Sequence, residues 1–114
     1  MRIAIPTSDR KTVCEHFGRA GYFAVIDSNE KEFTFIDNQI NLNAAQGAGI
    51  QSSTALINDG VKTVLSPHIG PKAYDVLKSA NVKMFLINET DLTLEDAFSK
   101  FINNELTEMD GFKK

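Results

Sequence analysis

Three short segments of this 114-residue chain carry residue types that bind metals or anions. The first has the sequence CEHFGRA and covers residues 14–20. Its Cys14 and His16 can both ligate a transition metal, and Arg19 offers a fork of donors that suits an anion. Gly18 allows a ligand to approach the backbone closely. The alternative is a packed thiol beside a surface imidazole, with no ligand bound.

The second segment has the sequence QGAGI and covers residues 46–50. Gly47 and Gly49 stand at the start of a predicted helix, where free backbone amides can bind an anion. The spacing matches neither of the common glycine motifs for nucleotides, so a nucleotide site is not supported. A flexible entry to the helix explains the same two glycines.

The third segment, SPHIGP at residues 66–71, follows a predicted parallel strand. Ligands of open α/β sheets usually bind at the carboxyl ends of such strands. His68 can act there as a second imidazole ligand or as a donor to an anion, and Gly70 precedes the next helix. A tight turn enforced by two prolines is the alternative interpretation.

The surrounding pattern predicts one α/β domain with the order β-β-β-α-β-α-β-α. Strands are predicted at residues 3–5, 22–27, 33–37, 61–65 and 82–87, with helices at about 49–59, after Gly70 and after Thr93. Pro6 is expected to end the first strand. The helices should lie on the faces of a mixed five-stranded sheet. The domain is expected to span residues 1–106, with a frayed tail at 107–114.

Composition excludes several classes of protein. The net charge of −3 argues against a general nucleic-acid binder, and a single cysteine excludes an internal disulfide or a four-thiolate site. No stretch of the sequence is long and apolar enough to cross a membrane, and the start of the chain does not resemble a signal peptide, so a cytoplasmic location is expected. The candidate metal ligands in the segments described above are Cys14, His16 and His68.

The chain resembles the dinitrogenase iron–molybdenum cofactor biosynthesis family, which includes nitrogenase accessory factors. The most specific match is EHFGRA at residues 15–20. Weaker matches are IAIP at 3–6, GAG at 47–49, GV at 60–61, IGPKA at 69–73, Phe101 and NEL at 104–106. The resemblance implies a three-layer ribonuclease H-like fold without nuclease activity.

The resemblance also implies binding or carrying of an iron–sulfur or molybdenum–iron–sulfur cluster, or its precursor. Position by position, it places His16, Gly18 and Arg19 in the cluster-binding region, which Gly47, Gly49 and Gly70 would shape. Many relatives have a histidine just before the glycine pair, where this chain has NAAQ at residues 43–46.

We therefore expect a non-catalytic carrier of an anionic metal–sulfur cofactor that meets cluster donor and acceptor proteins, as a monomer or weak homodimer. The sequence also allows two alternatives. One is a regulatory module that binds a non-metal anion or a partner protein, and the other is a small enzyme that uses Cys14 and His16.

Overall fold

The computed structural model of the chain describes residues 1–38, 48–89 and 91–109. In these residues a six-stranded sheet is accompanied by three α-helices and one short 3₁₀ helix, Phe17–Arg19. The strands are β1 (Arg2–Thr7), β2 (Tyr22–Asp27), β3 (Thr34–Asp37), β4 (Val61–Ser66), β5 (Lys83–Leu86) and β6 (Thr107–Glu108). The helices are α1 (Ala48–Asn58), α2 (Pro71–Ser79) and α3 (Leu94–Ile102). None of the described helices could span a membrane.

The sheet is mixed, as predicted, with the strand order β3-β2-β1-β4-β5-β6. The helix-linked strands β1, β4 and β5 are parallel, while β2, β3 and β6 each run antiparallel to the strand beside them. The carboxyl ends of β1, β4 and β5 therefore meet at one edge. That edge receives the loops that follow all three strands.

The two faces of the sheet are covered by different helices because successive side chains of a strand point in opposite directions. Ile3 belongs to the same buried cluster as Ala97 of α3. Its neighbour Ala4 belongs to a second cluster, with Leu56 of α1 and Leu77 of α2. This confirms the predicted three-layer arrangement.

The sequence signals for the helix ends are also confirmed. Gly60 adopts a φ of 85° just after α1, a conformation that side chains disfavour. Pro71 occupies the first position of α2, where a missing N–H costs nothing. The hydroxyl of Thr93 accepts a hydrogen bond of 3.1 Å from the Asp96 N–H and caps α3.

Pro6 does not end the first strand, contrary to the prediction. β1 continues to Thr7, and its pairing with β2 includes Pro6 opposite Phe23. The parallel pairing with β4 extends only as far as Ala4, so the last three residues of β1 are paired with β2 but not with β4. The Pro6 carbonyl instead accepts a 2.7 Å hydrogen bond from the Cys14 N–H in the following loop.

The number of strands was also predicted incorrectly, because the sixth strand begins where a frayed tail was expected. Thr107 and Glu108 pair with Leu86 and Phe85 of β5. The N–H of Met109 then donates a 2.7 Å hydrogen bond to the Met84 carbonyl. A two-residue strand has no periodicity that a sequence pattern could detect. Residues 110–114 of the expected tail lie outside the described residues.

A buried asparagine joins the loop after β1 to helix α1. The Asn38 side chain, 1% exposed, donates a 2.8 Å hydrogen bond to the Ala20 carbonyl. Its oxygen accepts a 3.0 Å hydrogen bond from the Ser52 hydroxyl. Asn38 also donates its backbone N–H to the Gly21 carbonyl at 2.9 Å. One side chain thus holds together the end of β3, the first loop and α1.

Replacing Asn38 with alanine should lower the free energy of unfolding by about 3 kcal/mol, because it leaves a buried carbonyl and a buried hydroxyl without this partner. Urea denaturation followed by circular dichroism measures the change. The control is Asn58→Ala at the exposed end of α1, which should change stability far less. Equal effects of the two substitutions would contradict the connecting role of Asn38.

Candidate functional site

A cavity of about 570 Å³ lies at the carboxyl edge of the sheet. Its wall includes Leu86 at the end of β5, together with parts of the loops that follow β1 and β4. Six of the residues predicted for the site line it: His16, Gly18, Arg19, Gly49, His68 and Gly70. Gly47 lies outside the described residues. Segments far apart in the sequence therefore meet at one cavity.

Two buried apolar residues bring the histidines to this cavity. Phe17 is 1% exposed, and its ring centroid lies 5.0 Å from that of Phe23. Ile69 is 4% exposed in the same cluster. Because Phe17 and Ile69 point into the core, the adjoining His16 and His68 remain exposed above it.

Backbone pairing then sets the two histidines side by side. His16 and His68 form a parallel bridge, and the Phe17 N–H donates a 3.2 Å hydrogen bond to the His68 carbonyl. The same carbonyl accepts a 2.9 Å hydrogen bond from the Ser66 hydroxyl. The imidazole rings stack with centroids 5.6 Å apart and planes inclined by 27°. Main-chain contacts therefore fix the separation of two potential ligands.

The cavity wall carries positive charge among the described residues. Arg19 lies in the last turn of the 3₁₀ helix, and Lys72 lies in the first turn of α2. None of the described residues that line the cavity is an aspartate or glutamate. The site thus combines two cations with two imidazoles, which favours a ligand of negative charge.

The N terminus of α2 adds backbone donors to the same wall. Its N-cap residue is Gly70, which has no side chain to cap the first amides, and Pro71 occupies the first helical position. The amides of Lys72 and Ala73 follow in the first turn, at the positive end of the helix dipole. Gly49 of α1 comes close to the same turn, since a Cβ there would lie only 3.2 Å from the Ala73 Cβ.

Cys14 does not line this cavity. Its thiol is half-buried beside the core and lies 3.7 Å from the His16 carbonyl oxygen. Across residues 1–38, 48–89 and 91–109, no three His, Cys, Asp or Glu side chains are grouped to hold a metal ion. The predicted set of Cys14, His16 and His68 is therefore not assembled as a three-ligand site for a bare ion.

The donor set fits a different kind of metal-containing ligand. A metal–sulfur cluster brings its own sulfides and an overall negative charge, so it needs few protein ligands but many positive and N–H groups around it. Two imidazoles, a guanidinium, an ammonium and the amides of a helix N terminus meet that need.

A second cavity of about 420 Å³ shares Pro67 and His68 with the first but has the opposite charge. Its wall includes Glu15, Glu89 and Asp91. The Glu15 carboxylate lies 3.8 Å from the His68 Nε2, and both side chains are well exposed. One imidazole thus stands between a cationic and an acidic surface.

Sequence reasoning missed several residues of the first cavity. Lys72 follows a predicted helix start and could have been found from its place in the first turn. Ile50, Leu86 and Met109 gave no such signal, because they reach the cavity through helix packing and through the short strand β6.

An aspartate fixes the start of the loop that carries His16. The Asp9 carboxylate accepts hydrogen bonds from the N–H groups of Lys11 and Thr12 at 2.9 and 2.8 Å, and from the Thr12 hydroxyl at 2.9 Å. The two backbone donors and the Thr12 hydroxyl hold the pKa of Asp9 well below its ordinary value of 3.8. The Lys11 carbonyl then accepts a hydrogen bond from the N–H of Leu94, the first residue of α3. The Val13 N–H donates one to the carbonyl of Leu92, just before that helix.

The model of the dinitrogenase iron-molybdenum cofactor family matches residues 1–104. The chain belongs to this family. The match confirms the resemblance found in the sequence, and it covers every candidate site residue identified there.

Two solved structures and a curated relative are similar to the chain over most of its length. The apo form of the orange protein from Desulfovibrio gigas is 29% identical, with a TM-score of 0.91 over 99% of this chain and 96% of its own. A putative NifB protein from Thermotoga is 27% identical, with a TM-score of 0.83 over 99% and 97% of the two chains. An uncharacterized protein of Methanocaldococcus jannaschii is 29% identical over 93% of this chain and 89% of its own length.

Because folding lowers the pKa of Asp9, its negative charge stabilises the folded loop at pH values above the ordinary pKa of an aspartate. That contribution is lost as the pH falls below this value. The thermal stability of Asp9→Asn should therefore be lower than wild type at pH 7, and the difference should shrink toward pH 3.

Melting temperatures across this pH range measure the effect. Asp75→Asn on the exposed face of α2 is the control. A difference between wild type and Asp9→Asn that stayed constant with pH would argue against a charge-dependent loop contact.

Proposed function

We propose that the cavity binds an anionic metal–sulfur cluster of the iron–sulfur or iron–molybdenum type, or its precursor, as cargo. In this proposal the chain carries the cluster between donor and acceptor proteins and catalyses no reaction itself. The observation that supports it best is the stacked imidazole pair on a cavity whose described wall has two cations and no carboxylate.

Each group of the wall has a distinct part in this proposal. His16 and His68 supply imidazole nitrogens to the cluster metals. Arg19 and Lys72 balance the negative charge of the cluster, and the first amides of α2 donate to its sulfides. The buried Phe17 and Ile69 keep the two histidines in place, so binding requires little rearrangement of the loops.

The family and the fold support the same proposal. The family is named for the iron–molybdenum cofactor of dinitrogenase. The orange protein, which was solved in its apo form, shares its fold with nearly the whole of this chain. A carrier also needs an accessible site, and both histidines of this chain are exposed.

An enzyme built on Cys14 and His16 has less support. The Cys14 thiol lies beside the His16 carbonyl oxygen and outside the described wall of the cavity. A nucleophilic thiol needs a base within hydrogen-bond reach and access to its substrate. A module that binds a simple anion fits the charges of the wall, and the experiments below separate it from a cluster carrier.

Anaerobic titration with tetrathiomolybdate, a sulfide-rich molybdenum dianion, tests cluster binding. Wild type should bind it stoichiometrically, with a change in its visible absorption. His16→Ala or His68→Ala should each weaken binding about tenfold, because each removes an imidazole N–H donor from the cavity wall. Cys14→Ser should bind nearly as well as wild type, since its thiol does not line the cavity.

Molybdate, the corresponding oxyanion, is the matched control ligand. Equal affinity for molybdate and tetrathiomolybdate would favour the simple-anion module. Unchanged binding of tetrathiomolybdate in both histidine variants would refute the proposed site.

The charge of the wall gives a separate expectation. Arg19→Gln and Lys72→Gln should each weaken tetrathiomolybdate binding about tenfold, because each removes a charged donor. Both should also reduce the dependence of the affinity on salt. Lys78→Gln, in the last turn of the same helix as Lys72 and outside the cavity wall, is the control and should bind like wild type.

A further inference from the structure

The short strand β6 places a methionine in the wall of the cavity. Met109 follows Glu108 directly, and its N–H donates a 2.7 Å hydrogen bond to the Met84 carbonyl. Its side chain is partly buried against the core and lines the cavity together with Leu86 of β5. Met109 thus brings a soft, sulfur-containing side chain to a wall that also carries imidazoles and cationic groups.

This part of the wall lies beyond the segment that the family model matches. The family model matches residues 1–104, whereas β6 and Met109 follow that segment. The imidazoles, the arginine and the helix N terminus all lie inside it. The residues that attract an anion are therefore separate in sequence from Met109.

The chemistry of the wall distinguishes two classes of anion. An oxyanion is strongly hydrated and loses hydrogen bonds wherever it meets apolar surface. A sulfide-rich anion has weakly hydrated, polarisable sulfur atoms that accept contact with apolar groups and with a thioether. Ile50, Leu86 and Met109 give the cavity such a surface beside its cationic groups.

We propose that Met109 is a specificity-determining residue, which favours a sulfide-rich anion over an oxyanion through direct contact of its thioether with the cargo. This inference rests on the proposed function, since it needs the cavity to be the cargo site. The inference goes beyond that function because it names the residue that distinguishes a sulfide-rich anion from an oxyanion of the same charge.

The substitution Met109→Leu tests the inference because it keeps the apolar bulk and the backbone of β6 but removes the sulfur. It should weaken tetrathiomolybdate binding about tenfold and leave molybdate binding unchanged. The control is Met84→Leu, which removes a buried sulfur that does not line this cavity, and its affinities should equal those of wild type.

Labelled methionine methyl groups give a second measurement on the unmodified chain. The sequence contains three methionines. Met1 immediately precedes β1, with its sulfur 3.1 Å from the Thr63 hydroxyl, and Met84 is buried in β5. On addition of tetrathiomolybdate, the methyl resonance of Met109 should shift most and that of Met1 should not move.

The outcomes separate the two proposals. Wild type that takes up no tetrathiomolybdate would overturn the cargo site and this inference together. Uptake that depends on His16 and His68 but is equally strong in Met109→Leu, or that leaves the Met109 resonance unmoved, would overturn only the inference.

Discussion

The candidate site depends on the pairing of two loops by the hydrogen bond from the Phe17 N–H to the His68 carbonyl. This contact lies directly above the core, because Phe17 and Ile69 are buried on either side of it. Each loop alone would carry an exposed histidine on a flexible turn. Paired, they become a short extension of the sheet, and the two imidazoles acquire a fixed separation.

The sheet makes this pairing possible through the divergence of β1 from β4. The two strands are paired up to Ala4, and beyond that point β1 continues alone on this side. The gap at the carboxyl edge is filled by the first loop, which bonds to Pro6, to Leu92 and to His68 in turn. A proline in β1 fits this arrangement, since a strand that leaves its neighbour has less need of a backbone donor.

Much of this arrangement follows from the sequence. Gly60, Pro71 and Thr93 mark helix ends through local chemistry that does not depend on the rest of the fold, so those boundaries are predictable. The convergence of residues 16–19 and 68–70 follows from the parallel order of the strands. The prediction at Pro6 was wrong because a proline can continue a strand where one neighbouring strand has stopped pairing, and the sequence does not show where β4 stops pairing with β1. β6 and Met109 escaped it because two residues of strand carry no period, and their position is decided by the free edge of β5.

The position of His68 between two cavities of opposite charge has a thermodynamic consequence. A charge that binds on either side changes the potential at the same imidazole, so the two cavities are linked through it. Linkage is reciprocal: a basic surface seated against Glu15 and Asp91 would strengthen the binding of an anion in the neighbouring cavity by Coulomb attraction, and the anion would strengthen the binding of that surface by the same factor. Departure of the docked surface would then favour release of the anion, and release of the anion would favour departure of the surface.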